Sequence, residues 1–553
     1  MILAEAALRL DASWVDYSLV ALYFVFVLGI GWAARSKVSS SIDFFLSGRS
    51  LPAWVTGLAF ISANLGAVEI VGHSANGVQY GFQTMHYFWI GAIPAMVFLG
   101  IVMMPFYYGS KVRSVPEFML RRFGPGAHLV NAISFAVAQL LIAGVNLLLL
   151  AKVVNSLLGW PLWVTLLVAA VIVLSYITLG GLSAAIYNEV LQFFVIIAAL
   201  LPLTLIGLHN VGGWAGLKAS VAAESHFHTW PGTEISGFDN PIVSAIGLVF
   251  GLGFVLSFGY WTTNFVEVQR SMAADSLSAA RKTPIIGAFP KMFIPFIVVI
   301  PGMVAGATVT PIMDGNAEPN DAILYLMRDL LPNGLLGVAI AGLLAAFMAG
   351  MAANISAFNT VISYDIVETY VIKNKDDKFY LSFGRWATVA AAVIAVFTAL
   401  IANQFGNVMD YLQTLFGFFN APLFATFILG MFWKRMTPTA GWVGLVLGTV
   451  AAMIYWEIAT FSGVEAGFFN LPGQGTAFVA ASIAFVVDIV FSILVSLVTR
   501  PKPDHELVGF VKSVTPKENL TDANEAALPW YQRTVPLGIL CLVMVLALNI
   551  VFA

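Results

Sequence analysis

The chain has 553 residues, of which 59% are hydrophobic and only 10% are charged. Soluble domains carry about 25% charged residues, so this composition excludes a water-soluble globular protein and indicates a protein whose main solvent is lipid. The net charge of −3 gives no electrostatic reason to expect nucleic acid as a partner. The single cysteine, Cys541, excludes an intrachain disulfide and a metal site built from cysteines.

Apolar segments recur along the whole chain. Residues 1–15 lack the positive segment and the short apolar core of a cleavable signal peptide, so we expect the first span to direct membrane insertion. A helix needs about 20 largely apolar residues to cross the hydrocarbon core. Fourteen segments qualify, which predicts an all-α polytopic membrane protein. They lie at 16–34, 52–79, 86–108, 128–157, 160–179, 184–208, 242–273, 283–311, 334–369, 378–403, 406–433, 437–458, 474–499 and 535–552.

The basic residues indicate how the spans are oriented. With fourteen alternating spans, nearly all Lys and Arg residues fall on one side, which the positive-inside rule identifies as cytoplasmic. Only Arg9, Lys218 and Arg328 fall on the other side, and only Lys152 and Lys291 lie within spans. We therefore expect a multi-pass protein of the cell inner membrane with both termini outside the cytoplasm.

The loops between the spans are short. The two longest, 209–241 and 500–534, are too short for a folded domain, and the sequence contains neither GxxxxGK[ST] nor a helical HExxH. We therefore expect no ATP-driven pump, no enzyme and no cofactor. A membrane sensor or channel is the alternative from another class, but the polar residues within spans cluster around two helix breaks, which favours a transporter.

Two predicted spans contain residues that weaken a helix in mid-membrane. In the second span Gly66 and Gly72 flank Glu69, and in the seventh Gly259 precedes the polar run 262–264. Glycine costs about 1 kcal/mol in a helix, and small polar side chains compete for backbone hydrogen bonds. Unwound backbone at this depth binds ions and polar solutes in secondary transporters. The alternative is that these glycines only allow close helix packing.

Five spans separate one expected break from the other, as two inverted five-helix repeats around a central site predict. The expected units are 1–51 with an extra first helix, 52–208 as the first repeat, 209–241 as an extracellular loop, 242–433 as the second repeat, and 434–553 with C-terminal helices and the cytoplasmic linker 500–534.

Several segments resemble the sodium:solute symporter family, in particular its sodium/glucose and sodium/galactose branch. They are DFFLSGRSLPAW at 43–54, ITLGGLSAAIYNEVLQ at 177–192, VQRSMAADSLSAARK at 268–282, FIVVIPGMVA at 296–305 and GMFWKRMTPTAGWVG at 430–444. The resemblance covers nearly the whole chain. It implies a LeuT-like fold in the bilayer and sodium-coupled symport of a small polar solute such as a sugar, an amino acid or a carboxylate, without an obligate protein partner.

The resemblance also implies solute-binding positions beneath an aromatic gate, which is Tyr260 here. The positions are Asn64, Glu69, Tyr87, Phe88, Gly91, Ser257, Tyr260, Trp261, Lys291 and Gln413. The residues that differ from those of sugar-transporting relatives are Glu69, Phe88, Gly91 and Ser257. Relatives have glutamate where this chain has Phe88, and losing that acid weakens the expectation of a galactose-type substrate.

The same resemblance implies a sodium site on the second and ninth spans. Its positions are Ser62, Leu65, Ala346, Ala349 and Gly350. Relatives supply a hydroxyl ligand at the last two positions, and this chain has none there. Na⁺ prefers oxygen ligands, so either water replaces the hydroxyl groups and binding is weak, or sodium is not the driving ion.

Ionisable residues within spans give a further indication of function. A charge at the bilayer centre costs about 2.5–3.5 kcal/mol on insertion scales and so needs a partner or a purpose. Glu69, with His73 four residues later, is a candidate proton carrier, and Lys291 either forms a silent ion pair with it or binds an anionic group. Glu189 is a candidate second cation site or a solvated carboxylate, and Glu267 is expected to line the inner vestibule. The alternatives to sodium are a proton on Glu69 or no ion.

Overall fold

A computed structural model describes residues 8–35, 40–66, 68–221, 223–230, 232–403, 408–464, 469 and 471–553. These residues are largely helical and form no β-strand. The all-α class predicted from the apolar segments is confirmed.

Twelve helices in the described part of the chain are long and apolar enough to cross a membrane. They are Trp14–Ala34, Tyr87–Gly109, Pro125–Leu158, Leu182–Asn210, Pro241–Thr263, Leu277–Thr308, Leu335–Val371, Asp377–Ala402, Val408–Phe432, Pro438–Phe461, Gly475–Val498 and Thr534–Val551. A bent pair makes a thirteenth span, and Leu162–Ser175 is a shorter apolar helix. Each of the fourteen predicted segments overlaps one of these elements. The count of fourteen is reached only when the bent pair and the short helix Leu162–Ser175 are both counted as spans.

One predicted turn is replaced by helix. Residues Leu162–Asn210 are helical throughout, whereas the sequence suggested two spans separated near 180–183. No proline lies between 176 and 184, so every amide in that stretch can continue the helical hydrogen bonding. A run of 49 residues is about twice what one crossing needs.

The first interrupted helix consists of Ala53–Asn64 and Val68–Met85, whose axes differ by 58°. The helix ends at Leu65, where ψ is 43°, and the chain resumes with a π-helical turn from Val68 to Gly72. The break therefore lies within the stretch 64–70 that the sequence predicted.

The second interrupted helix consists of Pro241–Thr263 and Phe265–Met272. The break is at Asn264, which is extended with φ −70° and ψ 116°. The Asn264 side chain accepts a hydrogen bond of 3.0 Å from the amide of Val266, so it caps the helix that follows. This break lies at the last residue of the predicted stretch 257–264.

The two interrupted helices run in opposite directions. Leu51 lies just before the first interrupted helix, and Ala273 lies just after the second. The amide of Leu51 donates a hydrogen bond of 3.2 Å to the carbonyl oxygen of Ala273. The amide of Asp275 donates back to Leu51 at 2.9 Å. The start of one interrupted helix and the end of the other thus lie at the same face, which is the relation that inverted repeats require.

The second part of the first interrupted helix, Val68–Met85, packs closely on Ile294–Thr308. A Cβ atom at Gly302 would lie 2.0 Å from the carbonyl oxygen of Ser74, and one at Gly77 would lie 2.4 Å from that of Val299. Contact between backbones is the usual role of small residues in membrane helices. Gly302 and Gly77 therefore serve close packing, but neither was among the glycines of the predicted breaks, and both breaks are real interruptions.

The predicted loop 209–241 is packed against the membrane helices. Glu234 accepts a hydrogen bond of 2.5 Å from Nε2 of Gln83, and the carbonyl oxygen of Thr229 lies 2.6 Å from Nε2 of His86. The described part of this loop therefore covers the end of the first interrupted helix that lies farthest from Leu51.

Candidate functional site

Lys291 lies where the breaks of the two interrupted helices meet. Its ammonium group donates to Oε1 of Glu69 and, at 2.5 Å, to Oδ1 of Asn64. The same Nζ atom lies 4.9 Å from the ring centroid of Phe88 and 5.2 Å from that of Trp261. Lys291 is only 1% exposed, so its charge is balanced by Glu69 and by two aromatic faces within the protein.

The helix Leu277–Lys291 sets the position of this ammonium group. It packs against Ala53–Asn64, and the hydroxyl groups of Thr56 and Thr283 lie 2.6 Å apart across that contact. Lys291 is the last residue of the helix, where the helix dipole favours a positive charge.

Glu69 and His73 share one face of the resumed helix, as their spacing predicted. Nε2 of His73 lies 3.6 Å from Oε2 of Glu69, and both side chains are less than a tenth exposed. The imidazole ring packs against Tyr87 and Phe88, with centroid distances of 5.1 and 4.7 Å. One carboxylate oxygen therefore faces the ammonium group of Lys291 and the other faces an imidazole.

Tyr260, the predicted gate, links the two breaks. Its hydroxyl accepts from Nδ2 of Asn64 at 3.1 Å and donates to Oε1 of Glu267 at 2.9 Å. Its ring lies 4.6 Å from that of Phe416. Glu267 is fully buried and its carboxylate is bound to Tyr260, and the expectation that it lines the inner vestibule stays a prediction.

Nine of the ten predicted solute-binding residues line one cavity of ≈ 80 Å³. They are Asn64, Glu69, Tyr87, Phe88, Ser257, Tyr260, Trp261, Lys291 and Gln413. Gly91 does not line the cavity, because it packs against Ser257: a Cβ atom at Gly91 would lie 2.3 Å from Oγ of Ser257. One water molecule needs a cavity volume of about 10–15 Å³, so this cavity has room for several water molecules.

Further residues on the cavity wall were missed from the sequence. Asn146, Asn354, Met409 and Phe416 all line it. The side-chain nitrogen Nε2 of Gln413 donates to the sulfur atom of Met409 at 3.3 Å. The two asparagines could have been found as isolated amides in apolar spans, whereas the methionine and phenylalanine gave no signal.

The implied sodium positions lie on two helices that face each other, with the Asn146 side chain between them. A Cβ atom at Gly350 would lie 2.5 Å from Oδ1 of Asn146, and one at Gly66 would lie 2.8 Å from it. Nδ2 of Asn146 donates to the carbonyl oxygen of Ile142 at 3.2 Å, which turns Oδ1 toward the two glycines. The space for a hydroxyl side chain at 350 is therefore taken by an amide.

The other sodium positions are also buried. Ser62, Leu65, Ala346 and Ala349 are fully buried. No ionisable side chain is among them, and Ala349 has no oxygen in its side chain. The prediction that this chain offers Na⁺ a reduced set of oxygen ligands stays a prediction.

Glu189 forms a buried ion pair with Arg270. Oε1 of Glu189 lies 2.5 Å from Nη2 of Arg270, and Oε2 lies 3.3 Å from Nε. Both residues are fully buried, so the alternative of a solvated carboxylate is wrong: the guanidinium group replaces the water. The role of a second cation site stays a prediction, because Arg270 already compensates the charge.

Comparison with known proteins identifies the family. The sequence model of the sodium:solute symporter family matches residues 44–448. The chain belongs to the sodium:solute symporter family. This symporter is 28% identical over 496 residues to a sodium/glucose cotransporter of Vibrio parahaemolyticus, covering 86% of the chain and 90% of the relative. It is also 28% identical over 558 residues to human sodium/glucose cotransporter 4, covering 95% and 79%.

A solved structure shows the same fold. The structure of a Na⁺-coupled sialic acid symporter matches with a TM-score of 0.75 at 18% identity, covering 89% of this chain and 99% of that one. The LeuT-like fold and the family resemblance are confirmed, and the symporter is a multi-pass secondary active transporter of a small solute. Its family and relatives are transporters, which agrees with the prediction that it is not an enzyme.

Restoring the missing oxygen ligands is expected to strengthen Na⁺ binding. In the symporter carrying Asn146→Ala, Ala349→Ser and Gly350→Ser, we expect the affinity for Na⁺ to rise at least tenfold, because one interaction of a polar group with a charge contributes roughly 1.5–3 kcal/mol. The measurement is the rise of the unfolding temperature with NaCl, with KCl as the control. Gly350→Ser alone should destabilise the protein, because its side chain meets Asn146. An unchanged Na⁺ response in the triple variant would show that these positions bind no Na⁺ here.

Proposed function

We propose that this symporter drives the cation-coupled uptake of a small, net-neutral polar solute, such as a sugar or a zwitterionic amino acid, across the cell inner membrane. In this proposal both termini lie outside the cytoplasm and no obligate protein partner is needed. The observation that carries it is the ion pair between Glu69 and Lys291, on the wall of the cavity between the two interrupted helices.

The ion pair determines which net charge the solute carries. Glu69 and Lys291 neutralise each other in a buried site, and removing one partner of such a pair leaves an uncompensated charge. An anion that captured Lys291 would isolate Glu69, and a cation that captured Glu69 would isolate Lys291. A sugar can accept from one and donate to the other, and a zwitterion can insert between them and satisfy both.

The rest of the cavity wall suits such a solute. Amides from Asn64 and Gln413 and the hydroxyl of Ser257 supply hydrogen-bonding groups beside the rings of Phe88 and Trp261. A mostly apolar wall with a few placed polar groups is the usual composition of a small-molecule site. Relatives named sodium/glucose cotransporters support a sugar as one of the two solute classes.

Alternating access takes place around Tyr260. The hydroxyl of Tyr260 holds Asn64 of the first interrupted helix and Glu267 beyond the second break. Rocking of one repeat against the other around a fixed mid-membrane site would open these contacts on one side at a time. Tyr260 then separates the solute cavity from the side on which Glu267 lies.

The test is a stability screen followed by uptake. Purified symporter is heated with D-glucose, D-galactose, L-proline, glycine betaine, acetate or choline, with and without Na⁺. We expect a net-neutral compound to raise the unfolding temperature, because a ligand at 100 times its Kd adds about 2.7 kcal/mol, and acetate and choline to have no effect. Stabilisation by acetate or choline alone would contradict the charge argument. Proteoliposome uptake that shows no accumulation under either an Na⁺ or a pH gradient would contradict symport.

A further inference from the structure

We propose that Glu267 is the proton-binding site of this symporter and that its protonation releases the Tyr260 gate. The proposal deepens the proposed function by naming the coupling ion and the residue that carries it. The carboxyl group of Glu267 accepts a hydrogen bond from Tyr260, and Glu267 is not among the residues that line the cavity.

The first observation is the environment of the Glu267 carboxyl group. Oε1 accepts from the hydroxyl of Tyr260 at 2.9 Å, whereas Oε2 has no hydrogen-bond partner among the described residues. The residue is fully buried. Its neighbours Asn264 and Val266 line the cavity, as does Tyr260, so a shift of Tyr260 connects the carboxyl group with the cavity.

The second observation is the balance of charge at the site. Two buried pairs, Glu69 with Lys291 and Glu189 with Arg270, each neutralise themselves. Glu267 is the remaining acid, and neither lysine nor arginine forms an ion pair with it in the described structure. The five groups therefore sum to −1 when all are ionised, and one further positive charge makes the site neutral.

The groups around Glu267 come from several elements. Ala53–Asn64 and Leu335–Thr360, which pack against its helix, contain no ionisable side chain. The titratable or charged groups on its own helix and on the other neighbours are Tyr260, Arg270, Lys291, Arg281, Lys282, Glu189, Tyr107, Tyr108 and Asp43. The hydroxyl of Tyr107 donates to the carbonyl oxygen of Thr262 at 3.0 Å. His73 and Tyr87 also line the cavity, and His73 contacts Glu69.

The ligand set favours a proton over Na⁺. A sodium ion needs several oxygen ligands. The family's sodium positions lack hydroxyl groups at Ala349 and Gly350. A proton needs one lone pair, and Oε2 of Glu267 offers one.

Protonation of Glu267 weakens its hydrogen bond with Tyr260. An ionised carboxylate accepts a stronger hydrogen bond from a hydroxyl than a neutral carboxyl group does. Binding of one proton at Oε2 forms one O–H bond, changes the charge of Glu267 from −1 to 0, and weakens the bond from Tyr260. Loss of the proton on the other side restores the charge and the stronger bond, so proton occupancy and gate position are linked.

The decisive variant is Glu267→Gln, which keeps the shape and removes the titration. Asp488→Asn is the matched control, because Asp488 is a buried acid that accepts from Thr426 at 2.7 Å and Ser492 at 2.8 Å and does not line the cavity. Proteoliposomes with an alkaline interior and no Na⁺ are given D-galactose or L-proline, and internal pH is followed with pyranine. We expect accumulation with proton influx in the unchanged protein and in Asp488→Asn. In Glu267→Gln we expect at least tenfold less accumulation, with exchange of the same solute across the membrane retained.

Other outcomes separate the rival explanations. Undiminished proton-driven accumulation in Glu267→Gln would overturn the proposal. If Glu267→Gln folds poorly, Glu267→Asp replaces it in the test. Glu267→Asp keeps a carboxyl group and should retain part of the accumulation. If neither probe is transported, infrared difference spectra still test Glu267. A protonated carboxyl band present in Asp488→Asn and missing in Glu267→Gln supports the proposal, and its persistence in Glu267→Gln refutes it.

Discussion

Lys291→Met is expected to abolish uptake and to lower the free energy of unfolding by about 3–5 kcal/mol. The ammonium group is buried and donates to both Glu69 and Asn64, so its removal leaves a buried carboxylate without a charged partner. Unfolding of the purified protein measures the stability, and uptake of L-proline and D-galactose into proteoliposomes measures the function. Both should fall in this single variant.

The matched control for Lys291→Met is the double variant Glu69→Gln with Lys291→Met. It removes both charges, and replacement of a whole buried pair is often neutral for stability. We expect most of the lost stability to return while uptake stays absent, because the solute still lacks its ammonium partner. If the stability losses of Glu69→Gln and Lys291→Met simply add in the double variant, the two residues are not energetically coupled and the pair does not organise the site.

Gly302→Ala is expected to destabilise the symporter by about 1–3 kcal/mol and to slow transport. The new Cβ atom would lie 2.0 Å from the carbonyl oxygen of Ser74, and a backbone atom cannot rotate away as a side chain can. The helix Ile294–Thr308 would have to move away from Val68–Met85, the part of the first interrupted helix that carries His73. Thermal unfolding and initial uptake rate measure the two effects.

Gly306→Ala on the same helix is the control for Gly302→Ala. Its Cβ atom would lie 3.4 Å from Cγ1 of Val78, which is ordinary van der Waals contact. Both variants gain the same helix propensity, about 1 kcal/mol, so the difference between them isolates the steric effect. Equal stability of the two variants would mean that the helices separate easily at Ser74 and that the close contact is not needed.

The sequence by itself determined the features that depend on local order along the chain. Hydropathy placed all fourteen apolar segments, because crossing the bilayer is a property of about 20 consecutive residues. The glycine and polar residues near Glu69 and before Asn264 located both breaks, since helix propensity is also local. The spacing of Glu69 and His73 gave their shared face, because residues four apart are neighbours on a helix.

The tertiary structure decided which of these residues meet. Glu69 and Lys291 are 222 positions apart, and the sequence offered an ion pair between them only as one of two roles for Lys291. The burial of Glu267 against Tyr260 and the amide of Asn146 between two glycines were not predicted, because the first depends on how the chain turns at Asn264 and the second on how helices from different repeats pack. Periodicity and composition determine where a helix lies, where it breaks and which residues share its faces. Contacts between helices depend on the side-chain shapes of both surfaces at once.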